Sequence, residues 1–261
     1  MNIREQTSKF DINDYCYNSD KKLGIYLIHG FSSTTYEVKK LAQHLANQGY
    51  YVKAENLPGQ GTTIEDCNAT SYNQWLSFCE QSVASMYTQC DKVIVIGVSM
   101  GAVIALHLGT LFPLDGLVAS SAVFQFKNEF DVRVLARLFH YFKKSIPKKS
   151  TFHPDQLKAV QDGFYGYKYY PVVALNEMRK MVDKVRIKLS KIKSPILLIH
   201  SKVDRTAPFI NLEIIKNKLI TKNLKTLVLE KTGHNVFDSE SDEKPHIFSS
   251  IDHFVKEHFN V

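Results

Sequence analysis

Residues 92–109, KVIVIGVSMGAVIALHLG, decide the fold. The run Val93-Ile94-Val95-Ile96 is short, β-branched and apolar, and reads as a buried strand over Lys92 to Ile96. The stretch from Met100 through Leu111 has the composition of a helix. Between them stands Gly97-Val98-Ser99-Met100-Gly101. A strand that turns straight into a helix leaves no room for side chains beside the central residue, which accounts for both glycines. Such a turn carries the Ser99 hydroxyl to the carboxyl end of the sheet, beside the free N–H groups of a helix N-terminus.

The rest of the chain repeats the alternation. Lys22 to Ile28 reads as a strand, Tyr36, Leu41 and Leu45 as one face of a helix stopped at Gly49, and Tyr50 to Leu57 as a second strand. Ser71 to Gln89 reads as a helix whose inner face holds Trp75, Phe78 and Met86, and Leu114 to Ala119 as a strand. After an interruption, Pro195 to His200 and Lys225 to Glu230 are strands, with helices at Phe209 to Leu219 and His246 to Phe259. Strand–helix alternation predicts an α/β fold with a mainly parallel sheet covered on both faces. The interruption, residues 122–192, is too long for a connection and is expected to be a helical insertion on a core formed by 1–121 and 193–261.

A serine hydroxyl needs a base to take its proton, and the base needs a carboxylate to orient it. Among ten histidines, His234 is favoured: Thr232-Gly233-His234-Asn235 forms a loop just after the last strand. His29 ends a strand before Gly30 and is assigned to shaping a turn, His107 lies two helical turns beyond Ser99 and is read as packed, and His200 ends a strand without a Gly-His loop. Asp204 follows the strand ending at His200, on the sheet edge shared by Ser99 and His234. Asp238 is the rival acid, read as a helix cap before Ser239-Glu240. The expected catalytic set is Ser99, Asp204 and His234.

The net charge is +7, but its distribution is uneven. Residues 127–193 hold 16 Lys and Arg against 6 Asp and Glu, while the remainder holds 17 against 20. That segment reads as a solvated helical surface, with attraction of anionic substrates or a membrane surface as the alternative. No nucleic-acid-binding motif accompanies it, so no nucleic-acid partner is expected. The four cysteines have neither C-x-x-C nor metal-ligand spacing, and the first twenty residues lack an apolar signal region. Both features suit a cytoplasmic protein. No phosphate-binding glycine motif is present, and no metal or other cofactor is expected.

On these motifs the chain resembles the α/β-hydrolases, and within them the small carboxylesterases and bacterial monoacylglycerol lipases. The resemblance runs through Leu27-Ile28-His29-Gly30-Phe31, Leu57-Pro58-Gly59-Gln60-Gly61, the Ser99 segment, His200 to Asp204, and Gly233-His234. It implies an oxyanion hole made by the N–H groups of Phe31 and Met100, and a small helical cap at 122–192 over an acyl pocket. Gly30, Phe31, Val203 and Val236 are the expected substrate contacts. Two positions depart from the family pattern: Gln60 stands where His is frequent, and Ala102 where a further Gly is frequent.

The implied reaction is hydrolysis of short- to medium-chain esters or monoacylglycerols through an acyl-enzyme on Ser99. Twelve aromatic residues between Phe124 and Tyr170 read either as a pocket for an acyl chain or as the cap's own core. An acyl thioesterase is the alternative enzyme, because a basic cap attracts phosphates. A non-catalytic receptor on the same fold is the alternative from another class.

Overall fold

A computed structural model describes residues 10–127, 144–148 and 165–259. Strands β1 (Tyr15–Tyr17), β2 (Leu23–Ile28), β3 (Tyr51–Ala54), β4 (Lys92–Val98) and β5 (Gly116–Ser120) precede the insertion. Within it, β6 (Ser145–Pro147) and β7 (Tyr169–Pro171) form a separate antiparallel pair. Strands β8 (Ile196–Ser201) and β9 (Leu224–Leu229) follow it. The main sheet runs β1-β3-β2-β4-β5-β8-β9, parallel throughout except where β1 joins β3.

Helices α1 (Lys39–Asn47), α2 (Ile64–Ala69), α3 (Tyr72–Tyr87), α4 (Met100–Gly109), α5 (Val172–Arg186), α6 (Ile210–Lys216) and α7 (Lys244–Phe259) connect the strands. The period of two in the strands sorts their side chains into two cores. Ile25, Leu27, Ile94, Ile96 and Val98 face α1 and α7, packing on Leu41, Leu45, Ile251 and Phe254. Tyr26, Ile28, Val93 and Val95 face the other way, onto Trp75, Met86, Val103 and Met178. Every residue of α4 is buried, because that helix is enclosed by the sheet, α3 and α5. Its hydrophobicity therefore has no period to show.

Several expectations require correction. Tyr15–Tyr17 adds an edge strand within a stretch that reads as polar. The second predicted strand stops at Ala54, and Asn56 and Leu57 belong to a loop. The insertion is not all helical, because β6 and β7 pair within it. Three-residue strands are too short to register as a period. The remainder of the insertion, 128–143 and 149–164, lies outside the described residues.

Candidate active site

Ser99 follows β4 directly and adopts φ 56°, ψ −116°, a conformation that costs a non-glycine residue free energy and persists only when its surroundings enforce it. The enforcement is backbone contact. A Cβ on Gly97 would lie 2.1 Å from the Gly101 carbonyl oxygen, and one on Gly101 would lie 2.2 Å from that of Ile28. The Ser99 N–H donates to the Ser120 carbonyl at 2.9 Å, tying the turn to β5. Met100 is the first residue of α4, so its N–H has no carbonyl to bond within the helix.

Ser99, Asp204 and His234, from three segments far apart in sequence, meet here. His234 Nε2 lies 2.9 Å from Ser99 Oγ, and His234 Nδ1 lies 2.8 Å from Asp204 Oδ2. The other Asp204 oxygen accepts the N–H groups of Thr206 and Ala207, each at 2.8 Å. Burial opposes the imidazolium of His234, but the charge and hydrogen bond of Asp204 outweigh it and raise this histidine above its usual 6.5. Burial likewise opposes the Asp204 carboxylate, yet His234 and the two backbone donors hold its pKa below 3.8.

The loop carrying His234 is anchored by Glu243, which sequence reading does not single out. Its carboxylate accepts the N–H groups of Glu230, Lys231 and Thr232 at 2.8, 3.0 and 2.7 Å. Despite the cost of burial, these bonds and the Thr232 hydroxyl bring its pKa down to about 2. Asp238 caps no helix: it pairs with Lys40 at 3.2 Å, while α7 begins only at Lys244.

The Phe31 turn faces Ser99 from the end of β2. His29 Nδ1 lies 2.8 Å from the Gly30 carbonyl, and its Nε2 lies 3.1 Å from the Leu57 N–H. This network assigns the proton to Nδ1, with Nε2 accepting. Burial lowers the His29 pKa to about 4, which keeps it neutral. In a planar trans peptide the carbonyl of Gly30 and the N–H of Phe31 point in opposite directions. Fixing the carbonyl on His29 therefore fixes where the Phe31 N–H points. On the other side of Gly30, its own N–H donates to Glu37 Oε2 at 2.7 Å. Ser32, at φ 54°, passes its carbonyl to the insertion, where the Tyr167 N–H donates at 3.0 Å and Lys148 Nζ at 3.4 Å.

The other expected contact residues divide. Gly30 sits against Ser99, where a Cβ would lie 3.2 Å from the serine Cβ. The Phe31 ring stands edge-on to Trp75 with centroids 6.3 Å apart. Val203 is 47% exposed. Val236 is a correction: at 0% exposure it packs in the α1–α7 core and presents no surface to a ligand. Tyr165 and Tyr167 are buried, and their polar groups serve the core. The Tyr165 carbonyl accepts the Thr34 hydroxyl at 2.8 Å, and the Tyr167 hydroxyl reaches the Gly59 and Thr63 carbonyls at 2.7 and 2.8 Å. His107 is packed as expected and bonds Glu80 at 2.7 Å, while His200 bonds the Ala207 carbonyl at 3.0 Å. Gln60 is buried, and neither of its amide atoms has a partner among the described residues.

A parallel sheet carrying a strained serine between strand and helix defines an α/β-hydrolase fold. The family described as serine aminopeptidase, S33, matches residues 19–242, and the chain belongs to it. Among curated proteins, a thermostable monoacylglycerol lipase of Bacillus sp. (strain H-257) is 26% identical over 92% of this chain and 93% of its own. A carboxylesterase of Bacillus subtilis (strain 168) is 23% identical over 84% and 87%. A solved structure reported for the metagenome-derived lipolytic enzymes LipS and LipT shares the fold at TM-score 0.82 and 22% identity, covering 95% of this chain and 98% of that one.

Proposed function

We propose that the protein is a serine hydrolase of carboxylic esters, acting on short- to medium-chain esters or monoacylglycerols. The observation that carries this reading is the continuous hydrogen-bonded line from Asp204 through His234 to Ser99, with spacings of 2.8 and 2.9 Å. His234 takes the Ser99 proton as Oγ attacks the ester carbonyl, and Asp204 stabilises the imidazolium that results. The N–H groups of Phe31 and Met100 receive the oxyanion. His234 then returns the proton to the departing alcohol, and water releases the acyl group by the reverse path.

The monoacylglycerol lipase and carboxylesterase relatives support the ester as the bond cleaved. Residues 122–192 serve in this reading as a cap over the acyl side of the site. The excess of Lys and Arg in this segment suits anionic substrates or brief contact with a membrane. Among the described residues no helix is long and apolar enough to cross one.

Hydrolysis of p-nitrophenyl butyrate is expected, with Ser99→Ala losing up to about 10⁶-fold in kcat. Activity equal in wild type and Ser99→Ala would overturn the reading. Parallel assays with the butyryl-CoA thioester and an amino-acid p-nitroanilide separate ester cleavage from thioesterase and aminopeptidase chemistry.

A further inference from the structure

Burying a charged side chain is costly unless a partner answers it. Among the described residues, three acidic or basic side chains other than histidine belong to buried residues: Glu37, Lys148 and Asp204. All three act electrostatically on one imidazole, that of His234. Asp204 is accounted for by its bond to Nδ1, in line with Ser99. Glu37 and Lys148 take no part in that line.

Glu37 is 4% exposed and lies in the short 3-10 turn Thr35–Val38, seven residues beyond Gly30. Its Oε2 accepts the Gly30 N–H at 2.7 Å. A Cβ built on Gly30 would lie 3.1 Å from that oxygen and 3.2 Å from the Cβ of Ser99. The carboxylate and the nucleophile thus flank one glycine, with no room for a side chain between them.

We propose that Glu37 is a second, positioning carboxylate of this site, which holds the Gly30–Phe31 turn in place and adds its negative charge to that of Asp204 in stabilising the protonated His234. The inference rests on the serine-hydrolase reading above. It assigns two effects to one group. As a hydrogen-bond acceptor, Glu37 fixes the Gly30 N–H while His29 fixes the Gly30 carbonyl, so the two peptides on either side of Gly30, the second carrying the Phe31 N–H, are both held. As a charge, it favours the imidazolium that forms when Ser99 attacks. Lys148, over the ring of Tyr170 at 5.0 Å and bonded to the Ser32 carbonyl, is brought down to about 7 by burial, against the pull of Glu37, so its opposing charge fades as the pH rises through that value.

His234 feels Asp204 and Glu37 as raising its pKa and Lys148 as lowering it. Glu37 is pushed up first by burial and to a smaller extent by Asp238, and is drawn down by the Gly30 N–H, His234 and the Ser33 hydroxyl. Tyr165, which lies beside the turn, feels Glu37 and Asp238. Lys40 answers Asp238 rather than Glu37.

Glu37→Gln separates the two effects, because the amide oxygen still accepts the Gly30 N–H while the charge is gone. The acid limb of kcat/KM for p-nitrophenyl butyrate is expected to move to lower pH by about half a unit to one unit. The sign follows from the loss of an anion that favours protonated His234. The plateau kcat is expected to fall about 3- to 10-fold with KM unchanged. An unmoved limb would overturn the proposal, even if kcat fell, since a merely structural role leaves the limb in place. Side-chain ¹³C titration of Glu37 in the wild type gives a second check independent of the variant's folding. Ionisation throughout the pH range where the rate rises is required, and a carboxyl that stays protonated there refutes the proposal. If the wild type shows no Ser99-dependent hydrolysis, the functional reading fails first and visibly.

Discussion

The turn at Ser99 and the turn at Phe31 face each other across the site, and they are built by opposite means. At Ser99 the conformation is imposed by backbone against backbone: Gly97 against Gly101, and Gly101 against Ile28. At Phe31 it is imposed by individual hydrogen bonds, two to side chains close by in sequence and two from the insertion. His29 and Glu37 hold Gly30 from its two ends, and the insertion reaches Ser32 through Lys148 and Tyr167. One amide of the proposed oxyanion pair is therefore fixed sterically, by backbone against backbone. The other is fixed by hydrogen bonds that can be weakened one at a time. Substitutions at the first turn should act all at once, and those at the second by degrees.

The largest effect is expected from Gly101→Ala. The added methyl meets the Ile28 carbonyl oxygen at 2.2 Å and that of His29 at 2.6 Å, and neither can rotate away. Helix α4 must retreat from the end of β2, which carries both Ser99 and the Met100 N–H out of register. The cost is on the order of 3 kcal/mol in urea unfolding, with kcat/KM down by about 10²-fold or more. Near-native stability and rate in this variant would show that the glycine contacts do not hold the turn.

A graded loss is expected from His29→Ala. It leaves the Leu57 N–H and the Gly30 carbonyl without their side-chain partner and frees the peptide that aims the Phe31 N–H. Removing an oxyanion donor outright costs about 10² to 10³ in kcat. Loosening one is expected to cost about 10- to 10²-fold, with little change in KM. His29 is neutral throughout, its pKa lowered to about 4 by burial, so its removal is expected to add or delete no limb of the rate profile above pH 5. A new limb there would mean that His29 exchanges protons during the reaction, and the steady-state pH profile is the measurement that decides it.

This difference also explains what was legible in the sequence. The Ser99 turn is written in five adjacent residues, and its strand and helix flank it directly. Asp204 and His234 are readable because each follows a recognisable strand into a short loop at the same sheet edge. Glu37 and Lys148 are not readable this way, because nothing in a Tyr-Glu-Val or Pro-Lys-Lys stretch says that the charge is buried. That is decided by tertiary packing. The same limit explains Val236, which neighbours the base in sequence yet turns into the α1–α7 core. It explains Asp238 too, whose partner Lys40 lies on a helix nearly two hundred residues earlier. The pair β6–β7 is not legible for a different reason: it holds three residues a side inside a segment dominated by basic and aromatic residues.

The smallest effect, and the finest test of the contrast, is expected from Tyr167→Phe. The Tyr167 hydroxyl lies within reach of the Gly59 and Thr63 carbonyls and receives the Thr62 N–H at 3.3 Å. It pins the insertion to the loop after β3. The bond that touches the Phe31 turn, however, comes from the Tyr167 backbone N–H to the Ser32 carbonyl, and phenylalanine keeps it. Losing the hydroxyl leaves buried carbonyls short of a donor and is expected to cost about 1 to 2 kcal/mol in urea unfolding. The kcat is expected to stay within about 3-fold of wild type, because the backbone bond to Ser32 and the His29 and Glu37 contacts still aim the Phe31 N–H. A kcat loss as large as that of His29→Ala would mean that the Phe31 turn takes its geometry from the insertion as a whole rather than from the bonds at Gly30.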